Sequence, residues 1–291
     1  MILVDMNQVM ISNLMVHLQS VEQIDLGLVR HMVLNSLRMY NQKFREEYGE
    51  LVLCYDSKRY WRREFFPFYK GNRKKDRQKS NLNWSSIFET LNIIRDEIRE
   101  NMPYKVMEVD GAEADDVISV LTKLQSHTNI RLQKDMQPVV KVLILSGDKD
   151  FIQLQKYPWL KQFNPVMKKF VSGQNPKEYI LEHVLKGDRS DGIPNYLSCD
   201  DTFVENKRQR PLIKKTLDKI KNLSPEQFCN EEQLKYYNRN LTLIDFSYIP
   251  LEVEEKILES YDSITLAPRN KMYNYFVKHQ LITLLDKIGE F

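Results

Sequence analysis

Residues 139–150 read Val-Val-Lys-Val-Leu-Ile-Leu-Ser-Gly-Asp-Lys-Asp, an apolar, β-branched run that stops on two carboxylates, Asp148 and Asp150. A run this short, closed by Ser-Gly, reads as a strand. Three others share its form: Ile2 to Asp5, Leu51 to Asp56 and Tyr104 to Asp110, each ending at or beside an acid. Helical periods lie between them. Leu26, Val29, Val33, Leu37, Tyr40 and Phe44 recur every three or four residues, and Ile87, Leu91, Ile94 and Ile98 do the same. Ala114 to Leu124 reads as a third helix, with acids in its first turn suited to the positive end of its dipole. The alternation predicts an α/β fold, a mostly parallel central sheet flanked by helices.

After Val171 the pattern turns helical or looped. A helix begins at Asn175-Pro176 and ends near Lys186-Gly187, followed by candidate helices over 212–222, 225–240, 251–261 and 270–288. The stretch Pro194 to Pro211 is polar and aperiodic and reads as an exposed loop. This predicts an α/β domain over 1–180 and a smaller, mainly helical C-terminal domain over 181–291.

With 291 residues, 42% of them hydrophobic, the chain has the material for a sizeable core. No apolar run approaches the ~20 residues of a membrane span. The N-terminus has no basic leader and meets Asp5 after three apolar residues, unlike a signal peptide. Cys54, Cys199 and Cys229 are odd in number and far apart, which suits a reducing compartment better than a disulfide framework. The net charge is only +3, but ten Lys or Arg against two acids between Lys58 and Lys79 leave eight net positive charges there and five net negative on the rest. Such a concentrated patch implies a polyanionic partner.

Ligands of open α/β sheets sit beyond the carboxyl ends of the strands, where Asp5, Asp56 and Asp148 fall. Glu113, Asp115 and Asp116 follow the third strand, Asp150 follows Asp148, and Asp188 and Asp191 share one turn. A lone Asp after a strand is ordinarily a turn former or cap. Many on one rim repel one another unless cations neutralise them. Oxygen donors, with no His nearby in sequence, select Mg²⁺, or Mn²⁺ in its place, over zinc. There are too many acids for one ion, so two are expected, an arrangement suited to phosphodiester hydrolysis.

The basic segment carries Tyr60, Trp61, Phe65, Phe66, Phe68 and Tyr69 among Arg59, Arg62, Arg63, Lys70, Arg73, Lys74 and Lys75. Its cations suit phosphates and its rings suit unpaired bases, although part of the aromatic set is expected in the core.

Asp5, Asp56, the segment Tyr69-Lys-Gly-Asn-Arg73, Glu113-Ala-Asp-Asp116, Ser146-Gly-Asp-Lys-Asp150 and Gly187-Asp-Arg-Ser-Asp191, in this order, resemble the flap endonuclease family of 5′ nucleases, and its phage branch in particular. The resemblance implies a flap-endonuclease or PIN-like core with a basic arch over about 58–83. It implies a first Mg²⁺ at Asp5, Asp56, Asp115 and Asp148 with Glu113, and a second near Asp150, Asp188 and Asp191. Asp116 belongs to the same motif. Arg62 and Lys70 match arch residues that approach the scissile phosphate, with Arg59, Arg63, Arg73, Lys74 and Lys75 as further nucleic-acid contacts. The implied activity is 5′→3′ exonuclease, flap endonuclease and ribonuclease H cleavage of RNA–DNA hybrid, duplex DNA and 5′ flaps. It would remove RNA primers during phage DNA replication in the host cytoplasm.

Two departures from the family pattern stand out. Ile193 to Arg210 lacks the Gly-x-Gly hairpin of the helix–hairpin–helix that grips duplex phosphates, and Asp5 lies close to the start, without the leader of the phage relatives. The resemblance further implies a monomer whose helical C-terminal region docks a single-stranded DNA-binding protein. Gln280 to Leu285 faintly resembles a sliding-clamp peptide, but Leu281, Leu284 and Leu285 have the spacing of a core helix. Two other functions fit less of the sequence. A PIN-like ribonuclease would not require the basic segment, and a non-catalytic nucleic-acid-binding factor would not require the acids.

Overall fold

The computed structural model describes residues 1–18, 24–173 and 175–291, Lys74 without its side chain. Six strands form one sheet: β1 (Ile2–Asp5), β2 (Leu51–Tyr55), β3 (Lys105–Glu108), β4 (Val142–Leu145), β5 (Leu160–Asn164) and β6 (Lys169–Val171). Their order is β3-β2-β1-β4-β5-β6, parallel throughout except for β6, which runs antiparallel to β5. β1, β2 and β4 are buried at every position, as the central strands of a sheet covered on both faces must be. The ladder pairs Asp5 with Cys54 and Val4 with Leu145, so β2 and β4 end within one residue of β1.

The helices are α1 (Met6–Leu18), α2 (Leu26–Tyr48), α3 (Trp61–Phe65), α4 (Gly71–Lys79), α5 (Trp84–Asn101), α6 (Ala114–Lys134), α7 (Pro176–Lys186), α8 (Lys214–Ile220), α9 (Pro225–Phe228), α10 (Glu231–Ile244), α11 (Leu251–Ser263), α12 (Arg269–Lys278) and α13 (Ile282–Leu285). The periodic face of α2 buries Val29, Val33, Leu37 and Phe44, and that of α5 buries Ile87, Leu91, Ile94 and Ile98. Two expected helices are broken. Asn230 stops the 225–240 run by capping α10: its side chain accepts from Gln233 N, and Gln233 Oε1 accepts from Asn230 N. Gln280, at φ 54°, separates α12 from α13 within 270–288.

The backbone forms two compact units, crossing between them at 58/59, 82/83, 172/173 and 253/254. The sequence suggests only one boundary, near residue 180. Unit one holds 1–58, 83–172 and 254–291; unit two holds 59–82 and 173–253. The second unit has its own core, in which Phe66 and Tyr69 pack with Val184, Leu185, Ile193, Tyr196, Tyr237 and Ile244. These aromatic residues explain why the basic segment joins the later helices.

In unit one the C-terminal segment is fastened to the α/β layers by a polar triad in which Arg30 and Tyr275 are buried and Glu97 is half-buried. Arg30 of α2 donates two bonds to Glu97 of α5, at 2.7 and 2.8 Å, and Tyr275 Oη of α12 donates to the same carboxylate at 2.7 Å. Burial favours the neutral form of Glu97, but the Arg30 and Tyr275 bonds outweigh it and hold the carboxyl below its usual range. Its stabilisation is therefore complete above the ordinary glutamate pKa of about 4.3 and is lost as pH falls through the lower folded value. Glu97→Gln should cost about 3 kcal/mol, because it strands the buried guanidinium. It should also flatten the acid limb of stability below about pH 4. Urea unfolding of both forms from pH 3 to 7 measures both effects.

Candidate active site

Strand order reverses direction at β1: β2 and β3 lie on one side, β4 and β5 on the other. The crevice at such a switch point, beyond the carboxyl ends, is where an open sheet receives ligand. Asp5 ends β1 there, 8% exposed. Its Oδ2 accepts from Ser146 Oγ at 2.9 Å, and its Oδ1 from Gln8 N in the first turn of α1 at 3.1 Å. Burial pushes its pKa up to about 6, with the Asp56 and Asp148 carboxylates adding to the rise against the pull of the Gln8 and Ser146 bonds. Cys54, paired with Asp5 across the ladder, is pushed well up by burial and then by Asp5 and Asp115. Asp5, Asp56, Asp115 and Asp148 thus share one electrostatic neighbourhood.

Asp56 and Asp148 are each held by backbone. Asp56 Oδ1 accepts from Ala114 N at 2.8 Å, tying the end of β2 to the start of α6. Asp148 caps the turn after β4, accepting from Asp150 N at 3.0 Å. The loop under Asp148 hangs on Gln162 of β5, a 1% exposed side chain whose Nε2 donates to the carbonyls of Ser146 (3.0 Å) and Asp148 (2.6 Å). A Cβ at Gly147 would sit 2.5 Å from the Asn164 side-chain amide, which would have to move aside. Glu113 is buried at the N-cap of α6. Asp116 is fully buried and accepts from Glu113 N at 2.9 Å, so this acid, grouped with the ligands on sequence, completes a capping box.

The second unit carries Asp188 and Asp191. Asp188 Oδ1 accepts from Ser190 N and Oγ, both at 2.7 Å, and its Oδ2 lies 3.4 Å from His183 Nε2. Burial favours neutral Asp188, but His183 and Ser190 outweigh it and hold the carboxyl well below the usual range. The absence of a histidine near the acids, inferred from sequence, is thus corrected: His183 sits one helical turn before the Gly187 turn. Asp191 is gripped by the basic segment, accepting from Tyr69 Oη at 2.8 Å and Arg73 Nη2 at 2.5 Å, with Lys70 Nζ at 3.9 Å.

Lys70 stands at φ 55°, a left-handed conformation uncommon for a side-chain-bearing residue. Its ammonium lies 5.0 Å from the Tyr69 ring and 5.6 Å from the Tyr60 ring. Arg62 departs from its expected place. It is 3% exposed, donates from Nε to Leu243 O at 2.9 Å and lies 4.6 Å over the Trp61 ring. Arg73 is likewise turned toward the Ser190 carbonyl and Asp191. Arg59, Arg63 and Lys75 are exposed, Lys75 donating to Val204 O at 2.7 Å. The Lys74 side chain lies outside the described residues. Trp61, Phe66 and Tyr69 are buried, whereas Phe65 is 52% exposed. Leu281 and Leu284 are buried too, so the clamp-like segment is not a free peptide. Among the described residues no helix is long and apolar enough to cross a membrane.

Two family models match the chain: the 5′–3′ exonuclease N-terminal resolvase-like domain over residues 1–180, and the C-terminal domain of T4 RNase H over residues 175–291. Ribonuclease H of Enterobacteria phage T4 is 37% identical along 99% of this chain and 95% of that protein. The phage T5 D15 protein, crystallised with metal ions, superposes with a TM-score of 0.58 at 17% identity, covering 89% of this chain and 98% of that one. A substituted T5 D15 flap endonuclease, in a pseudo-enzyme–product complex with DNA and metal ions, gives 0.54 at 18% identity, covering 79% and 91%. At these identities the two T5 structures bear on the fold alone.

Asp5 carries a cost in the metal-free protein. Its raised pKa means that the folded state binds the proton more tightly than the unfolded one. The penalty is absent below the unfolded value near 3.9 and complete above about 6. Asp5→Asn should therefore raise the melting temperature in EDTA at pH 7, by the equivalent of roughly 2 kcal/mol, and leave it nearly unchanged at pH 4. Calorimetry at the two pH values checks this. An equal effect at both would remove electrostatic crowding as the cause.

Proposed function

The chain belongs to the 5′–3′ exonuclease family of nucleases, and on that premise we propose that its own acidic crevice hydrolyses phosphodiesters near 5′ ends with divalent metal. The observation that carries this reading is Asp5, a buried carboxylate at the sheet's switch point whose pKa is raised by burial and further by the Asp56 and Asp148 carboxylates. The donor set around Asp5, made only of oxygens and crowded enough to raise a carboxyl pKa, fits a hard cation such as Mg²⁺, with Mn²⁺ as a substitute, whereas His183 stands beside Asp188.

Asp5, Asp56, Asp115 and Asp148, with Glu113 directly or through water, would hold the first ion. For a second ion the family resemblance, rather than any geometry, nominates Asp150, Asp188 and Asp191. Bound metal would supply Lewis-acid stabilisation of phosphoryl oxygens and a water of lowered pKa. The protein's own work is to orient and hold. Ser146 and Gln8 fix the Asp5 oxygens, Gln162 fixes the loop that carries Asp148, and the Ala114 amide fixes Asp56. Lys70, rather than the buried Arg62, is the cation proposed to offset charge on the scissile phosphate. Arg59, Arg63 and Lys75 steer the strand by charge.

The proposed substrates are RNA–DNA hybrid, duplex DNA and 5′ flaps, with primer removal in the host cytoplasm as the role and a monomer as the working form. Cleavage of a 5′-labelled hybrid across a Mg²⁺ titration tests the reading. Asp148→Asn should abolish cleavage while binding in EDTA persists, and Lys70→Ala should lower turnover ~100-fold with little loss of binding. Turnover by Asp148→Asn at the wild-type rate would end the metal-site assignment.

A further inference from the structure

The loop Ser146-Gly147-Asp148 carries one proposed metal ligand and a hydroxyl bonded to another, and two glutamines brace it from opposite sides. On the β5 side stands Gln162, 1% exposed, whose Nε2 donates both its hydrogens, to Ser146 O at 3.0 Å and Asp148 O at 2.6 Å. Its Oε1 accepts from Gln155 Nε2 at 2.9 Å, and the same Gln155 nitrogen lies 3.3 Å from Val171 O. The Gln162 amide fits only this way round, since reversed it would set an oxygen against two carbonyls. On the α1 side stands Gln8, which is half-buried. Its Oε1 accepts from Gly147 N at 2.6 Å, while its backbone N donates to Asp5 Oδ1 at 3.1 Å.

Between the glutamines lies the fully buried Ser146. Its Oγ donates to Asp5 Oδ2 at 2.9 Å and accepts from Asp148 N at 3.1 Å, so one hydroxyl joins the two acidic residues. Its backbone N donates to Phe163 O at 3.1 Å. A turn needs a single tie to satisfy a buried carbonyl. This one is tied to two separate elements, and every tie leads within one residue to Asp5 or Asp148. A polar network with its members paired in this way fixes one backbone shape.

We infer that Gln162 and Gln8 hold Asp5 and Asp148 at a fixed separation and thereby make the site selective for a small divalent ion, Mg²⁺, over a large one, Ca²⁺. The inference rests on the proposed metal site. Mg²⁺ demands near-octahedral geometry at about 2.0–2.1 Å, whereas Ca²⁺ accepts variable geometry at about 2.3–2.6 Å. Carboxylates that cannot move apart penalise the larger ion, and a loop free to drift loses the smaller ion first. Both glutamines are positioning residues, acting on the metal through the carboxylates they seat.

The experiment counts free Mn²⁺ by electron paramagnetic resonance as Mg²⁺ or Ca²⁺ displaces it from the full chain, without nucleic acid. Gln162→Met keeps the volume and removes the donor. It should weaken Mg²⁺ ~10–100-fold and Ca²⁺ by no more than ~3-fold, so that the preference falls about tenfold. Gln8→Met leaves the backbone bond to Asp5 in place and should shift the preference in the same direction. It also decides the matter if thermal unfolding in EDTA shows that Gln162→Met does not fold. Equal weakening of both ions would reduce the glutamines to structural supports and overturn the selectivity. Unchanged affinity for both would remove the brace. Asp148→Asn separates the two readings: if it leaves Mn²⁺ binding as in the parent chain, the metal site itself fails, whereas a brace that fails alone leaves that loss intact.

Discussion

Carboxylates held close together at the end of a buried sheet are the constraint on which unit one depends. β2 and β4 end within one residue of β1 because the ladders of three strands buried at every position leave no freedom of register: a slip by one residue would turn every apolar side chain to the other face. Asp5 ends β1 and Asp56 and Asp148 follow the ends of β2 and β4, which brings their carboxylates into one electrostatic neighbourhood. The protein meets part of the cost with donors: Ser146 and Gln8 on Asp5, Ala114 N on Asp56 and Asp150 N on Asp148. Burial and neighbouring charge still win at Asp5. An arrangement that remains unfavourable after its hydrogen bonds are made is one that a cation would relieve, which is the physical support for the proposed metal site.

The central sheet was legible because an apolar run ending in an acid is a local pattern. The long helices were legible from their period, as α2 and α5 show. β5 and β6 escaped notice since Leu160-Lys-Gln-Phe-Asn and Lys169-Phe-Val are short, partly exposed and half polar. Gln162 escaped with them, although it supports the Asp148 loop, because a glutamine in a short strand announces nothing about its partners. The division into units was also hidden. Phe66 and Tyr69 lie over a hundred residues from the helices they pack against, and no composition shift marks such a pairing.

At the candidate site, residue types were easier to find than residue roles. Asp116 shares a motif with Glu113 and Asp115, yet its place at the third position of α6 puts it in reach of Glu113 N, and a buried cap leaves it no exposed face. Arg62 and Arg63 are adjacent in a basic segment, but in the short α3 successive residues point in different directions. One guanidinium is buried over Trp61, and the other is exposed near Tyr60. Charge density predicted a polyanion partner for the segment as a whole. It could not say which cations are spent on the fold.

Those spent cations have a mechanical consequence within the second unit. Asp191 accepts from Tyr69 and Arg73, Lys70 N donates to Asp191 O at 2.7 Å, and Asn72 Nδ2 donates to Arg189 O at 2.9 Å. Gly192, at φ 73°, leaves room for the Phe68 carbonyl, which a Cβ would meet at 3.1 Å. The left-handed turn at Lys70 is thus over-determined from both sides, the condition under which a sparsely populated conformation persists. One end of the basic segment is fixed to the Asp188–Asp191 turn while α4 beyond it is mostly exposed. Removing Arg73 would therefore loosen the base from which Lys70 is presented. Its loss would look like a defect in catalysis although the guanidinium itself is engaged with the turn.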